Sequence, residues 1–434
     1  MREMKDSGIE WIGEIPKGWK VPKIKYVAKF LNGDRGKNYP SGNDLTDSGI
    51  VFLTSNNIRG VVLDCTSDIT KYITEKRYNI LGGAKIRKND IIFCLRGSVG
   101  NCAINKTENE GTIASSLVDI RPIKVVAGFL NYCLKSDINS IQTSINMNGS
   151  CAANLSAENV ANYCFIEPSI SEQQQIANFL DTQCSEIDAT AEDIQKEISL
   201  LEEYKKSVIT EAVTKGLNPD AEMKDSGVKW LPKIPKHWKV IPSKYLFANS
   251  DIRRQTGDEQ LTASQKYGII TQKDYTAKEN AQIVLATQGL EKWKHVEPND
   301  FIISLRSFQG GLEMSEITGC ITWHYVVLKA QKKVYHKYYK WLFKSARYIN
   351  ALQGTCNFIR DGQDLRFSNF ALVPLFELPL EEQQQIADFL DSKCSEIDTL
   401  IADKKRQLDI LADYKKSLIY EYVTGKKEVP VKDF

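Results

Sequence analysis

The sequence predicts an α+β fold in which two α/β-type domains are separated by two long antiparallel coiled-coil helices, related by a pseudo-two-fold internal repeat. Three observations carry this prediction. An opening segment recurs after about half of the chain, a second block recurs at the end of each half, and an apolar heptad pattern follows that block in both copies.

The opening segment shows the repeat most directly. MKDSGIEWIGEIPKGWKV, residues 4–21, returns as MKDSGVKWLPKIPKHWKV, residues 223–240. The middles of the two halves agree poorly, apart from NDIIFCLRGSVG at 89–100 and NDFIISLRSFQG at 299–310. Two copies that pack in the same way but bind different targets would keep a common framework and differ at their binding surfaces.

The second repeated block, EQQQIANFLDTQCSEID at 172–188 and EQQQIADFLDSKCSEID at 382–398, opens a predicted long helix in each half. Apolar residues then follow in three- and four-residue steps, which indicates a heptad seam. Ser171 with Gln174 predicts a capping box, and Gly216 predicts the end of the first helix. About forty residues at ~1.5 Å each make a rod of about 60 Å. Connectivity then requires the helices to run antiparallel if their seams meet, with one domain at each end. The seam residues are Ile187, Ala191, Ile194, Ile198, Leu201, Val208 and Ala212 in the first copy, and Ile397, Ile401, Leu408, Leu411 and Leu418 in the second.

These signals divide the chain into segments with definite boundaries. The predicted segments are a first domain at 1–169, a long helix at 170–216, a linker at 217–222, a second domain at 223–379, a second long helix at 380–425 and a tail at 426–434. Short apolar runs predict strands at 50–53, 91–95 and 301–305, and helical spacing predicts helices at 128–136 and 337–350.

The composition is that of an ordinary globular protein, with 42% hydrophobic residues, 26% charged residues and a net charge of +2. Neither a signal-peptide core nor a membrane-spanning apolar run is present, which predicts a cytoplasmic protein. None of the ten cysteines forms a C-x-x-C pair, so reduced thiols are expected.

One basic stretch stands out against the low net charge. Two interpretations apply and can hold at once: a nucleic-acid-binding stripe, and an amphipathic helix with Tyr338, Leu342 and Ile349 on its core face and lysines in solvent. Its cations, with aromatic residues interleaved among them, are Lys329, Lys332, Lys333, Lys337, Lys340, Lys344 and Arg347.

Catalytic motifs are missing. LGGAKIRK, at 81–88, lacks the spacing of a phosphate-binding loop, and no Asn/Asp-Pro-Pro-aromatic motif of an amino-methyltransferase occurs. The four histidines all lie in the second half and none forms an H-x-x-x-H pair. We therefore predict no catalytic site.

The repeated blocks together resemble the specificity subunits of type I restriction-modification enzymes. The resemblance rests on a proline followed by EQ-x-x-IA-x-FLD and Ile-Asp at 168–188 and 379–398, the Tyr-Lys-Lys-Ser helices, and the Ile-Pro-x-x-Trp opening. It implies a non-catalytic subunit with two target-recognition domains that reads bipartite double-stranded DNA, one half-site per domain. Two methyltransferase (modification) subunits would bind its helices, and restriction/translocase subunits would join them. S-adenosylmethionine, ATP and Mg²⁺ would be used by those partners, with no cofactor or metal on this chain and no membrane partner.

The resemblance also points to recognition loops. Family members often carry a loop similar to R-S/G-G-x-x-G-R after a strand, and a later G-S/T loop before a helix. Glycine permits close backbone approach, and Arg and Asn can make paired bonds to base edges. The residues assigned to DNA binding are Asn57, Arg59, Arg96, Ser98, Asn148, Ser150, Asn154, Arg306, Gln309, Lys333, Thr355, Asn357 and Arg360. The residues assigned to partner binding are Gln173, Ile176, Phe179, Leu180, Ile187, Leu201, Tyr204, Gln383, Ile386, Phe389, Leu390, Ile397, Leu411 and Tyr414.

Two other classes remain as alternatives. A stand-alone DNA-binding adaptor without enzyme partners would explain two recognition halves, but it leaves the polar helix surface without a task. A self-contained restriction enzyme would need the catalytic motifs that the sequence lacks.

Overall fold

The computed structural model describes residues 2–147, 154–280, 286–304, 307, 311–355 and 365–430. The chain forms two compact units. Unit 1 comprises Met1–Ile194 and Arg406–Phe434, and unit 2 comprises Gln195–Lys405. Each unit therefore contains one globular domain together with part of both long helices, so the units cut across the segment boundaries predicted from the sequence.

The globular part of unit 1 contains two four-stranded sheets and an opening hairpin. Its strands are β1 Met4–Asp6, β2 Glu14–Pro16, β3 Ala28–Asn32, β4 Leu45–Thr46, β5 Ile50–Leu53, β6 Lys71–Ile73, β7 Ile91–Cys94, β8 Cys102–Ile104, β9 Gly111–Ile113 and β10 Leu117–Pro122. The antiparallel sheet has the order β3-β10-β7-β8. The second sheet has the order β4-β6-β5-β9, in which β5 and β9 run parallel.

Strand β7 explains why the predicted apolar run at 91–95 has no polar alternation. All four of its residues are buried. Ile91 and Phe93 belong to one hydrophobic cluster, whereas Ile92 and Cys94 belong to another. Because successive side chains of a strand point to opposite faces, both faces of β7 are covered and both must be apolar.

Four short helices accompany the sheets of unit 1: α1 Glu75–Ile80, α2 Ala127–Lys135, α3 Asp137–Asn146 and α4 Ala157–Ala161. Helix α2 is the helix predicted at 128–136. Phe129, Leu130 and Tyr132 are buried in the main core of this unit. Ile176 and Leu180, from the first long helix, belong to the same core.

Unit 2 repeats the framework of unit 1, and in its described residues the second layer consists of two-stranded sheets, two of which are linked by an isolated parallel bridge between Gln260 and Cys320. Its strands are β11 Met223–Asp225, β12 Lys233–Pro235, β13 Lys239–Ile241, β14 Phe247–Ser250, β15 Leu261–Ser264, β16 Gly268–Thr271, β17 Lys294–Val296, β18 Phe301–Ile303, β19 Glu313–Met314, β20 Gly319–Ile321, β21 Val326–Ala330 and β22 Leu375–Glu377. The sheet β14-β21-β18-β19 corresponds to β3-β10-β7-β8, while β15-β16, β17-β20 and β13-β22 form two-stranded sheets. The divergent middles of the sequence thus correspond to divergent sheet layers.

The long helices bound the remaining elements. They are α5 Ile170–Lys215 and α10 Leu380–Val423, and between them lie α6 Gln272–Glu279, α7 His336–Lys344, α8 Ala346–Gln353 and α9 Phe367–Ala371. The helix predicted at 337–350 is thus two helices, interrupted at Ser345, whose hydroxyl accepts a hydrogen bond from Tyr348 N at 3.4 Å. The interruption changes the helical phase, so Tyr348 is fully buried and Ile349 only partly.

The start of α5 corrects one detail of the sequence prediction. The capping box is formed by Ser169 and Glu172, not by Ser171 and Gln174. Ser169 N donates to the Glu172 carboxylate at 3.2 Å, and Glu172 N donates to Ser169 Oγ at 3.3 Å. The helix ends as predicted at Gly216, whose φ of +77° is a left-handed conformation that glycine adopts without strain.

Within each unit the two long helices pair antiparallel. In unit 1, Phe179 stacks on Tyr422 with ring centroids 4.5 Å apart, and Lys415 contacts Asp188 at 2.6 Å. In unit 2, Lys205 contacts Asp398 at 2.6 Å and Lys404 contacts Glu197 at 2.5 Å. Partner numbers fall as residue numbers rise, which defines the direction. The repeat-related Lys205 and Lys415, which interrupt the heptad seam, therefore make the same interhelical ion pair in the two units.

The state of the cysteines and the hydropathy of the helices relate to the expectations from composition. The eight cysteines in the described part of the chain are free thiols. In that same part, no helix combines the length and the hydropathy that a membrane crossing would need.

Candidate nucleic-acid interface

The loop that follows β7 brings together two of the residues predicted to bind DNA. Arg96 Nε donates to Asn154 Oδ1 at 3.2 Å, and the two residues form an isolated β-bridge. Arg96, Gly97 and Ser98 are exposed. The loop therefore presents a guanidinium and a carboxamide side by side at the surface of unit 1.

Glycine sets the shape of this loop. Gly97 and Gly100 have φ values of +77° and +89°, a backbone conformation that residues with a Cβ atom rarely adopt. Gly100 N donates to Cys94 O at 3.1 Å, so the loop turns back onto the end of its own strand. A Cβ atom at Gly100 would also lie 3.4 Å from the side chain of Thr143 on α3. The two glycines thus allow the loop to pack closely while Arg96 and Ser98 remain accessible.

A neighbouring loop contains two other predicted residues, of which one is buried and one is exposed. Asn57 is fully buried, and its amide bonds to Thr54 N at 2.8 Å and to Asp64 O at 2.9 Å. Its side chain is committed to holding the loop, so we remove Asn57 from the DNA-contacting set. Arg59 is exposed, and its Nε donates to Asn56 O at 3.1 Å. The loop therefore presents Arg59 alone.

Both loops border a groove in unit 1 with a volume of about 520 Å³. Its other walls are the end of α2, α3 and the C-terminal part of α10. The groove contains four cationic side chains and no carboxylate among its lining residues. Those cations are Arg59, Lys135, Lys415 and Lys416.

The four cations of the groove are not equivalent. Lys415 forms an ion pair with Asp188 at 2.6 Å. Lys416 approaches the carboxylate of Asp413 only to 3.8 Å. Lys416 is exposed, so its ammonium can reach a ligand without breaking a close ion pair. Lys135 and Lys416 were not predicted from the sequence. For Lys416, the repeated Tyr-Lys-Lys-Ser motif was a usable signal of a binding role, because both copies of the motif contain this second lysine.

Unit 2 carries the other half of the predicted DNA-binding set. Lys333 is exposed. Thr355 is half-buried, and its hydroxyl donates to Leu352 O at 2.7 Å. The structure thus places Thr355 at the end of α8, where its side chain caps the helix. The remaining predicted residues lie outside the described residues, and they are Asn148, Ser150, Arg306, Gln309, Asn357 and Arg360.

The basic stretch at 329–347 is not a free cationic stripe. Lys329 contacts Asp300 at 2.8 Å, Lys332 contacts Glu377 at 2.9 Å and Lys337 contacts Asp391 at 3.1 Å. Lys340 and Lys344 pair with Glu316 and Glu313. Its aromatic residues Tyr338, Tyr339 and Phe343 are buried. The buried aromatic residues serve the core, as the amphipathic interpretation predicted, and acids from distant parts of the chain pair with most of the lysines.

The structure also corrects half of the predicted partner surface. Gln173 accepts from Val126 N at 2.9 Å and donates to Pro168 O at 3.0 Å. Gln383 makes the same pair of bonds in unit 2, with Tyr335 N and Leu378 O, both at 2.8 Å. These glutamines join each globular domain to its own long helix, and their apolar neighbours are buried there too. The residues of the predicted partner set that are buried are Gln173, Ile176, Leu180, Gln383, Ile386, Leu390 and Ile397.

Other predicted partner residues do reach the surface. Phe389, Tyr204 and Tyr414 are exposed, whereas Phe179, Ile187, Leu201 and Leu411 are half-buried. The sequence interpretation missed the apolar residues next to the seam. Leu200 and its repeat counterpart Ile410 are 64% and 60% exposed, and Leu400 is exposed as well. Leu200, Leu400 and Tyr204 line one apolar depression of about 430 Å³ in unit 2.

A buried charge cluster joins the start of β7 to β10 in unit 1. Arg121 donates two hydrogen bonds to Asp90, at 2.9 and 2.7 Å, and approaches Asp119 at 3.2 Å. Burial, followed by the charge of Asp90, raises the pKa of Asp119 to about 8. Unit 2 retains the corresponding pair, Asp300 with Lys329, but has Val327 in the place of Asp119. Within the described residues, no group of His, Cys, Asp and Glu is arranged to hold a metal ion.

Comparisons with known proteins agree on one family. Residues 16–200 match the model of the type I restriction modification DNA specificity domain. A chain named as the type I restriction enzyme MjaX specificity subunit, from Methanocaldococcus jannaschii, is 23% identical over 96% of both chains. The EcoKI specificity subunit of Escherichia coli is 24% identical over 52% of this chain and 47% of its own length.

Solved structures show the same fold. A chain from a structure of the type I restriction-modification system has a TM-score of 0.67 at 14% identity, covering 95% of this chain and 99% of its own. The HsdS subunit from Thermoanaerobacter tengcongensis has a TM-score of 0.51 at 15% identity, covering 95% of this chain and 98% of its own. These matches do not favour a stand-alone DNA-binding adaptor.

Proposed function

Because the chain belongs to the family of type I restriction-modification specificity subunits, we propose that it is the sequence-specific DNA-recognition subunit of such a complex. One observation carries the proposal: similarity to a specificity subunit extends over 96% of the chain, through both copies of the repeat. In this role the chain selects the DNA, and the methylating and cleaving chemistry belongs to other subunits.

The recognised DNA sequence is bipartite in this proposal, with one half-site for each globular domain. The two domains share the β3-β10-β7-β8 framework and differ in the sheet layer beside it. A common framework with divergent surfaces suits two domains that bind DNA in the same way but read different bases.

Within unit 1, the exposed Arg96–Asn154 pair is the proposed base-reading element. Arginine and asparagine make the paired hydrogen bonds that distinguish guanine and adenine in the major groove. The cations of the adjoining groove, chiefly Arg59, Lys135 and Lys416, would bind phosphates, which position the duplex without reading its sequence. The absence of carboxylates among the residues that line the groove supports this assignment.

The long helices provide the proposed platform for partner proteins. Two methyltransferase subunits would bind along them, and restriction/translocase subunits would join that assembly. Support comes from exposed apolar residues on helices whose seams are already used internally. In unit 2, Leu200 and Leu400 are exposed and line one apolar depression, and an exposed apolar patch marks an interaction site. In unit 1, Ile410, the repeat counterpart of Leu200, is exposed as well. S-adenosylmethionine, ATP and Mg²⁺ would be bound by those partners.

The test is a mutant pair measured on mapped targets. The target is first identified by sequencing methylated bases in DNA treated with the chain and its methyltransferase partners. Arg96→Ala should then weaken or relax recognition of one half-site, and Arg306→Ala, its counterpart in the repeated sequence, should affect the other. A lost base-edge contact costs ~1 to 3 kcal/mol. Equal losses at both half-sites in either variant would contradict base reading by that arginine.

A further inference from the structure

The repeat leaves one difference between the units that recognition of DNA does not explain. In unit 1, Tyr422 on α10 stacks on Phe179 of α5, with ring centroids 4.5 Å apart and planes at 38°. In the repeat, Ala212 is the sequence equivalent of Tyr422, and Phe389 is the sequence equivalent of Phe179. In unit 2 the tyrosine ring is therefore missing, and Phe389 is 41% exposed.

The space beside Ala212 is a cavity of about 960 Å³. Its apolar walls include Val208, Leu217, Met223 and Leu231 in addition to Phe389. Tyr422 and Leu418, the larger counterparts of Ala212 and Val208, are buried in the core of unit 1. The cavity is thus the place that this chain fills with its own aromatic side chain in unit 1 and leaves open in unit 2.

The rim of the cavity is cationic. Lys215, Lys233 and Arg347 line it, with Glu211 as the acidic lining residue. Lys215 pairs with Glu211 at 2.7 Å, so the charges of Lys233 and Arg347 are left over. A group that enters an apolar cavity with this rim is favoured if carboxylates flank it.

We propose that this cavity binds an aromatic side chain presented on an acidic segment of a partner protein, once per chain. The Phe179–Tyr422 contact is the template for the bound ring, because it shows how the shared framework accommodates an aromatic residue at this position. A ring held in a central, water-excluding pocket is the usual anchor of a protein interface. The volume is within the range of cavities that enclose a whole ligand, so neighbouring side chains of the segment fit as well.

The test uses the full chain with ¹³C-labelled methyl groups and the peptide acetyl-Asp-Glu-Tyr-Glu-Asp-amide. The methyl resonances of Met223, Leu217 and Leu231 should shift with peptide concentration. Peptides with alanine in place of tyrosine, or with lysines in place of the acids, should bind at least about tenfold more weakly.

Two variants decide whether the cavity itself is the site. Ala212→Tyr copies unit 1, fills the cavity and should abolish the shifts. Thr210→Tyr, on the same helix as Ala212 but outside the cavity lining, introduces the residue that the repeat has at Tyr420 and should leave the shifts unchanged. If Ala212→Tyr perturbs folding, Phe389→Ser removes the apolar floor and should weaken binding in the same direction.

Three results would overturn the proposal. They are shifts of equal size with the alanine peptide, shifts that persist in both cavity variants, and shifts produced by duplex DNA but not by the acidic peptide. DNA binding through the groove of unit 1 involves different residues, so failure here would leave the proposed function standing.

Discussion

Replacing Asp119 should remove a pH-dependent weakness from the core of unit 1. Asp119 is fully buried on β10, and its Oδ1 has no hydrogen-bond partner among the described residues. Its carboxyl lies beside Asp90, and the Arg121 guanidinium, already bonded twice to Asp90, contacts it at only 3.2 Å. One cation therefore serves two buried acids, so the carboxyl of Asp119 holds its proton.

The sign of the effect follows from the raised pKa. Asp119 has a pKa of about 8 in the folded chain, against ~3.9 for an unperturbed aspartate. Below pH ~4 Asp119 is protonated in both the folded and the unfolded chain, so its titration does not lower the free energy of unfolding. Between ~4 and ~8 the native state keeps a proton that the unfolded state loses, so stability falls as pH rises. At ~1.4 kcal/mol per unit, the loss approaches about 5 kcal/mol by pH ~8.

Asp119→Asn abolishes this titration while keeping the side-chain shape. The carboxamide oxygen of the variant can still accept from Arg121, but its buried amide nitrogen replaces the acid proton, at a cost of roughly 1.5 kcal/mol. At pH ~8 its free energy of unfolding should still exceed that of the parent by about 3 kcal/mol, and near pH ~4 it should be equal or lower. Asp119→Val, the residue that unit 2 has at this position, should behave in the same way.

Urea unfolding of chain labelled with 5-fluorotryptophan measures this effect unit by unit. Trp11 and Trp19 report on unit 1, while the other five of the seven tryptophans belong to unit 2. Val327→Asp is the reciprocal variant, and it should introduce the same pH dependence into unit 2. Parallel pH profiles for the parent and Asp119→Asn in the unit 1 signals would refute the reasoning.

Three further predictions concern the groove, the helix joint and the repeat. Lys416→Gln should weaken binding to DNA of any sequence and lower the salt dependence of log K by about 1, whereas the exposed Lys405→Gln should not; equal effects in a salt titration would contradict a phosphate contact. Gln173→Ala leaves buried backbone groups unpaired and should destabilise unit 1 by about 2 kcal/mol in urea, whereas the exposed Gln174→Ala should change it little. A chain stopped after Gly216 loses residues 406–434 from unit 1 and should dimerise, with the end of α5 from a second copy replacing α10. With its partners that dimer should methylate a palindrome of the first half-site, and a monomer by light scattering would contradict the interchange.

The strongest sequence signals predicted the framework because they are local and repeated. The long helices begin and end within two residues of the predicted bounds, at Ile170–Lys215 and Leu380–Val423. The predicted strand at 50–53 is β5, and the run at 91–95 contains β7. Heptad spacing, apolar runs and a terminal glycine each act over a few residues, so a single sequence contains what is needed to recognise them.

Predictions about surfaces depended on contacts that span long distances in sequence. No acid lies among the lysines at 329–347 in the sequence, but their partners come from elsewhere in the chain, as with Glu377 and Asp391. Gln173 and Gln383 read as polar helix surface, yet each is buried against its domain. Helical spacing predicts which residues share a face. It does not predict whether a polar face meets solvent or buried polar groups of the same chain.

The amino-acid sequence by itself determined the duplication, the helices, the central strands and the lack of recognised catalytic motifs, because these depend on pattern. Only the tertiary structure decided that Arg96 meets Asn154, that Asn57 is internal, and that a cationic groove lies between the recognition loops and α10. It also showed that Ala212 leaves Phe389 uncovered. Each of these depends on which distant side chain occupies the neighbouring space, and chain connectivity alone does not specify that.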